Sequence, residues 1–471
     1  MVLTMRAFRL VIAPAAIVVA LGAGCAPAPT AMEQPVPQSP SPVAATQEPA
    51  ALVAPVVTAP AFPAAVAKMA GNATLARMPL SSFEASTVPG APKLADFGLS
   101  LGSIGSDVYP ADAPDEYWMV TDRGPNGKMK VAKHVKHRTM PVPGFDPSIV
   151  RVKTDGGSMG IVQTIPLTTT DGRPVTGLPN SARDERMYDN SGVRALPYNP
   201  SGVDTEAIVR TATGEFWLSD EYGPSIMKVS PEGRILARYV PQGTASPDAG
   251  YPEFDTLPGI MARRADNRGI ESLAISPDGR TLYAAMQSPL SVPSLAAGNI
   301  SRSTRLIALD TQTGRPTAEY VYGMEIVNSF DRRVGGDQSE MKISGMSWYG
   351  PNELLVDERT DNVARLYRII IDPSRNILGG PYDDPKTSPS LEQSLPAPGK
   401  FIPLDKVLAV DLPAKIPGMP GKIEGVAVRD PRTIVVTNDN DFGIPDGKEA
   451  YVGRRLQNNG TPNRLMVVNL G

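Results

Sequence analysis

Glutamates that open β-type runs are the first residues to read for chemistry, because glutamate is a poor strand former and needs a reason to stand there. Glu206, Glu271 and Glu424 each begin an apolar run, and Ser344 begins a fourth. Across a Gly, Pro or Asp turn a second run follows, ending on polar residues: Asp220 and Glu221, then Gln287, then Asp357, Glu358 and Arg359, then Asn438 and Asp439. An earlier, less regular copy ends on Asp122 and Arg123. Strand, turn and strand form a β-hairpin, whose first and last residues lie side by side, so these polar groups are expected to converge on one mouth of the fold.

Carboxylates gathered in that way repel by about 1–4 kcal/mol per pair at 4 Å, depending on the dielectric. A bound hard cation offsets this, as do neighbouring Arg123, Arg268, Lys342, Arg359 and Lys422, or carboxyls with raised pKa. Oxygen donors favour Ca²⁺, with Mg²⁺ second, and two histidines and one cysteine leave little for zinc. The competing reading makes the same residues strand-end groups tied up in salt bridges and turn hydrogen bonds.

Three other patterns carry less. The run 438–443, Asn-Asp-Asn-Asp-Phe-Gly, has calcium-like composition but no glutamate twelve positions on from Asp439, so an Asx-rich turn explains it equally well. Residues 156–160 spell G-x-S-x-G, yet they follow a turn signal and precede a β-rich run; a hairpin turn is expected, not a nucleophile elbow. His134 and His137 lie in the basic stretch 128–138, which reads first as a solvated loop and second as a place to hold an anionic substrate.

The hairpins must be positioned by something larger. Further strand-like runs follow several copies, as at 226–230 with 234–240 and at 305–310 with 317–322. Strands grouped in fours at recurring spacing predict an all-β fold, a β-propeller. Five copies are visible and the runs 149–152 and 160–165 supply another, so six blades are expected, with seven as the alternative; the run 464–470 closes the ring and hides its open edge.

The N-terminus has a different logic. Arg6 and Arg9 precede the apolar run 10–20 and then Leu21-Gly-Ala-Gly-Cys25, the order of a secretory signal with a lipoprotein-type cysteine. Residues 1–24 are thus expected to be removed and Cys25 acylated, giving an exported, periplasmic or outer-membrane lipoprotein. Residues 25–66, rich in Ala and Pro and poor in charge, read as a disordered linker, and 67–471 as the folded domain. With 46 Lys plus Arg against 49 Asp plus Glu, no nucleic-acid surface is expected, and a monomer is. Contact with a membrane would come only through the lipid, and no nucleotide or haem is expected.

Several motifs, in order, resemble one family: Thr121-Asp-Arg-Gly-Pro-Asn126, Asp204-Thr-Glu-Ala-Ile208, Phe216-Trp-Leu-Ser-Asp-Glu221, Asn267-Arg-Gly-Ile-Glu271, Lys422-Ile-Glu-Gly425 and the 438–443 run. The chain is similar to the phytase-like domain family described as having esterase-like activity. The resemblance implies a propeller, export and an ester-cleaving activity. At Asp357 a leucine would be more ordinary, which leaves Glu358 and Arg359 as the better site residues. The reading that follows is hydrolysis of a small anionic phosphate ester. Glu206, Glu221, Glu271 and Glu424 are its catalytic carboxyls, and Glu206, Asp220, Glu271, Glu424, Asn438 and Asp439 its cation ligands. Asp122, Arg123, Asn126, Arg268, Gln287, Glu358, Arg359 and Lys422 contact substrate. The alternatives are a binding propeller without chemistry and a lactonase-like carboxylic ester hydrolase.

Overall fold

The computed structural model describes residues 66–83, 95–445 and 450–471. The chain divides into two units, Met1–Val56 and Val57–Gly471. The signal segment, Cys25 and the linker as far as residue 65 lie outside the described residues. Among the described residues no helix is long and apolar enough to cross a membrane.

Hairpin-forming sequence dictates the architecture of Val57–Gly471, in which five sheets are each built on four antiparallel strands, beside a small three-stranded and a two-stranded sheet. The first is Val108–Pro110, Glu116–Val120, Ser148–Asp155 and Ser158–Pro166. The second is Thr205–Arg210, Phe216–Asp220, Ser225–Val229 and Ile235–Pro241, with Glu253–Leu257 added in parallel outside it. The third is Ile270–Ile275, Thr281–Met286, Ser303–Asp310 and Arg315–Gly323, and the fourth is Lys342–Gly350, Glu353–Arg359, Ala364–Ile370 and Lys406–Asp411. The fifth takes Ile423–Asp430, Thr433–Asn438 and Arg464–Leu470 from the C-terminal end of the chain and Ala67–Leu75 from its start. That N-terminal strand also touches Ser158–Pro166 in parallel, joining the outer edges of the fifth and first sheets.

The sheets pack face to face in a ring, so their strands are apolar on both sides rather than alternating. Phe216 and Leu218 fill the gap toward the first sheet with Trp118 and Val120, whereas Trp217 between them fills the gap toward the third with Leu282 and Ala284. Leu354 and Val356 face the third sheet, and Leu355 faces Ile434 and Val436 of the fifth. Val435 and Leu465 meet Tyr117 and Met119 of the first, which closes the circle. Each of these fully buried side chains contributes about 1.5–3 kcal/mol.

Five gaps close the ring, so the propeller has five blades among the described residues rather than the expected six. The runs 149–152 and 160–165 are not a further blade. They form the outer pair of the first sheet, separated from its inner pair by residues 121–147. The run 464–470 does lie at the closure, as the third strand of the last blade, with Ala67–Leu75 outside it. A different device covers the outer edge of the third blade. Residues 371–405 run along it, Ile377 donating to the carbonyl of Glu319 at 2.8 Å and Leu404 to that of Val321 at 2.9 Å, which blunts an open strand edge.

Candidate functional site

Each of the last four blades has a β-bulge near the start of its innermost strand. Thr205 faces Asp220 but Ile208 faces Leu218; Ile270 faces Met286 but Ser272 faces Ala285. Ile343 faces Glu358 but Gly345 faces Asp357; Ile423 faces Asn438 but Gly425 faces Thr437. The inner strand has one extra residue each time: within 206–207, then Glu271, Ser344 and Glu424. A bulge re-aims the side chain it carries, and here it accounts for glutamates where strand propensity opposes them. Close approach of the inner strands follows, since a Cβ at Gly345 would lie 2.3 Å from the carbonyl oxygen of Glu424.

The strand starts surround a cavity of about 630 Å³ at one mouth of the ring. Glu206, Glu221, Glu271 and Glu424 all line it and all are buried. Glu206, Glu271 and Glu424 each offer an oxygen within 4.8 Å of the others, and so does the set Asp204, Glu206 and Glu221. Burial pushes the Glu206 and Glu271 carboxyls well above their ordinary range, and the neighbouring carboxylates add to it. Asp204 is pushed up to about 6 by burial, against the pull of Arg123. Both oxygens of Glu221 and Oε2 of Glu271 are buried without a hydrogen-bond partner. Three hard oxygen donors so close, with acceptor atoms to spare, fit an oxygen-loving divalent cation.

Cations ring the acids. Arg359 pairs with Glu424, lies 2.9 Å from Asp361 through Nη1 and donates to Ser344 Oγ through Nε at 2.8 Å. Arg123 Nη1 lies 2.7 Å from Asp204, Lys342 is 2.7 Å from Asp361, and Lys422 pairs with Asp441. Arg268 donates to the uncharged Gln287 at 2.7 Å and is in no ion pair among the described residues. Asp122, Asn126 and Asp439 complete the predicted residues that line the cavity. Asp122 accepts from Gly124 N at 2.7 Å; burial, then Asp439, push its carboxyl well up.

Three predicted residues lie elsewhere. Asp220 points away from the cavity to Arg238 and accepts from the backbone of Asp204 and Tyr222 at 2.9 and 2.8 Å, so it braces the loop that carries Asp204. Glu358 lies on the opposite face of its strand from Arg359. It accepts from Tyr322 Oη at 2.7 Å and Lys406 Nζ at 2.6 Å between the third and fourth blades. Asn438 holds the chain near the ring closure, accepting from Arg464 N at 2.8 Å and donating to the carbonyl of Pro462 at 3.2 Å. Asp357 is buried and does not line the cavity.

The basic stretch is a hairpin, not a solvated loop. Gly127–Ala132 pairs with Val135–Thr139 so that Lys128 stands opposite Arg138 and Lys130 opposite Lys136. Lys128, Lys136 and Arg138 line the cavity, while on the other face Met129 is buried and His137 stacks on Tyr188 at 3.7 Å. Period-two alternation of Lys128, Lys130, Lys136 and Arg138 was the signal that could have found it. Asp204 and Asp361 were also missed, because neither ends a strand on the pattern that marked the others. The G-x-S-x-G run is the expected hairpin turn, Ser158 Oγ donating to the carbonyl of Asp155 at 2.9 Å.

The family described as "Phytase-like: Esterase-like activity of phytase" matches residues 100–442. An uncharacterized secreted protein of Arthroderma benhamiae is 29% identical over 269 residues, 48% of this chain and 52% of that one. The match thus spans about half the length of that curated relative. Among solved structures, the chain is similar to the β-propeller domain of Cps50 (Swd1) from Myceliophteria thermophila, with TM-score 0.32 and 11% identity over 79% of this chain and 98% of that one. It is also similar to regucalcin, described as a calcium-binding protein, from Agrobacterium tumefaciens, with TM-score 0.30 and 11% identity over 79% and 92%.

Proposed function

This chain belongs to the phytase-like family, across residues 100–442, and from that premise we propose that it is an exported, cation-assisted hydrolase of phosphate esters. The observation that carries the reading is the meeting of Glu206, Glu271 and Glu424, oxygens within 4.8 Å of one another, beneath a rim of arginines and lysines.

Those three glutamates would hold Ca²⁺; Mg²⁺ fits less well, because it demands near-ideal octahedral geometry. When bound, the ion supplies Lewis-acid polarisation of the ester and offsets the mutual repulsion of its ligands. Arg123 and Arg359 use their charge on Asp204, Glu424 and Asp361 and so hold carboxylates in place. Arg268, which among the described residues is engaged by the neutral Gln287 and by no carboxylate, would receive the substrate anion. Glu221, whose oxygens have no partner, is the carboxyl placed to take a proton from the attacking water.

The test is turnover of p-nitrophenyl phosphate, p-nitrophenyl acetate and phytate by residues 67–471, with Ca²⁺ and after EDTA. Ca²⁺-dependent cleavage of the phosphates is expected. Preference for the acetate would replace the reading by a lactonase-like one, and no turnover by folded protein would leave a binding propeller.

The hairpin favours a phosphate over a neutral ester. Lys128, Lys136 and Arg138 bring positive charge to the cavity wall; Arg138 lies 2.5 Å from Glu185, and Lys136 is the strand residue opposite Lys130 that would meet an anion there. Lys136→Ser is expected to raise KM for p-nitrophenyl phosphate about threefold, with less effect at high salt and none on the acetate. An unchanged KM would remove the hairpin from substrate binding.

Export is supported by the signal-like segment and by the secreted relative. We assign Cys25 as the acylated residue: Cys25→Ser is expected to abolish labelling by a radiolabelled fatty acid and to move the protein from the membrane to the soluble fraction. Labelling that persists would overturn the assignment.

A further inference from the structure

Every inner strand runs from the acidic mouth toward the opposite one. The far ends of these strands, with the turns that follow, enclose a second cavity of about 740 Å³, within the size range of small-molecule sites. On its lining Asp107 is only 1% exposed; its Oδ2 accepts from Ile208 N at 2.9 Å, while its Oδ1 has no partner. Burial pushes this carboxyl well above its ordinary range, against the pull of the backbone N–H groups of Ile208, Val108 and Val426.

The walls and rim narrow the choice of ligand. Tyr109 and Trp348 are half-buried and present aromatic surface to the cavity, Trp348 backed by the Tyr283 ring at 6.3 Å, with Met346 beside them. Charged groups at the rim already have polar partners. Arg210 lies 3.6 Å from Asp112 and Lys228 3.0 Å from Glu215, and Asp278 accepts from Ser276 Oγ at 2.5 Å and Arg280 N at 3.1 Å. An ionic ligand would compete with these partners, and a wholly apolar one would leave Asp107 Oδ1 unsatisfied. A pyranose ring meets both demands: its C–H face packs on an aromatic plane and its hydroxyls exchange hydrogen bonds with a carboxyl.

We propose that this second mouth is a binding site for an uncharged sugar unit of a glycan, with the ring on Trp348 and Tyr109 and a hydroxyl at Asp107 Oδ1. Nothing in this depends on the chemistry of the acidic mouth.

The experiment is calorimetric titration of residues 67–471 with maltohexaose, cellohexaose and N-acetylchitohexaose, each up to roughly 10 mM, which reaches weak affinities. At least one is expected to bind. Trp348→Phe, which keeps the packing on Tyr283, is expected to weaken it severalfold, and Asp107→Asn about tenfold, while Arg268→Gln in the other mouth leaves it unchanged. No heat with any of the three, or affinity indifferent to both Trp348→Phe and Asp107→Asn in folded protein, would overturn the site.

Discussion

Glu271→Gln is expected to lower turnover of p-nitrophenyl phosphate by about 10²–10³-fold, some 3–4 kcal/mol at the transition state. Glu271 is the extra residue of its bulge, its Oε2 has no partner, and its Oε1 is 3.4 Å from Ser344 Oγ, so its carboxyl is free to bind a cation on one side. Gln keeps the shape of the side chain, puts a donor NH2 in place of one acceptor oxygen and takes away the group that can carry negative charge. A second readout separates a ligand from a passive neighbour. A cation at one hundred times its Kd stabilises by about 2.7 kcal/mol, which for a domain of roughly 400 residues raises Tm by about 3 °C. The parent protein is expected to show that rise with Ca²⁺ and Glu271→Gln to lose it. A variant that retains both turnover and the Ca²⁺ shift would show that Glu271 is not a ligand.

Arg238→Met is expected to destabilise the fold by about 3–5 kcal/mol, because it leaves a buried carboxylate without its partner. Arg238 is 1% exposed and pairs with Asp220. It also donates to Ser225 Oγ at 2.6 Å, to the carbonyl of Tyr222 at 2.9 Å and to Tyr251 Oη at 3.2 Å. Asp220 in turn receives the backbone N–H of Asp204, so the pair sets the loop that brings Asp204 and Glu206 to the cavity. A fall in Tm of about 4–6 °C is expected, with the Ca²⁺-induced rise retained in protein still folded at the working temperature. Loss of the Ca²⁺ rise in Asp220→Asn at unchanged stability would return Asp220 to the ligand set.

Glu206, Glu271, Glu424, Glu221, Gln287 and Asp439 could be assigned to one mouth from the sequence because the inference is local. A hairpin returns its second strand to the start of its first, whatever surrounds it. The propeller was legible for the same reason: hairpin copies recur with turn residues between apolar runs, and such sheets bury both faces only by stacking on one another. The bulges sharpen this placement by throwing the glutamates inward, and no residue type announced them.

Tertiary packing decided the remainder. Whether the runs 149–152 and 160–165 made a new blade or completed the first depended on pairing across the 121–147 insertion, which a sequence pattern does not encode. Asp220, Glu358 and Asn438 were assigned to the mouth from the sequence but face elsewhere, because adjacent strand positions point opposite ways and a single bulged residue inverts that parity. The basic hairpin drew its place over the acids from the strand pairs that frame it. The second mouth formed only because five strand ends, distant in sequence, were brought around one axis. Local hydrogen-bond geometry thus determined which residues travel together, and long-range packing determined where each side chain points.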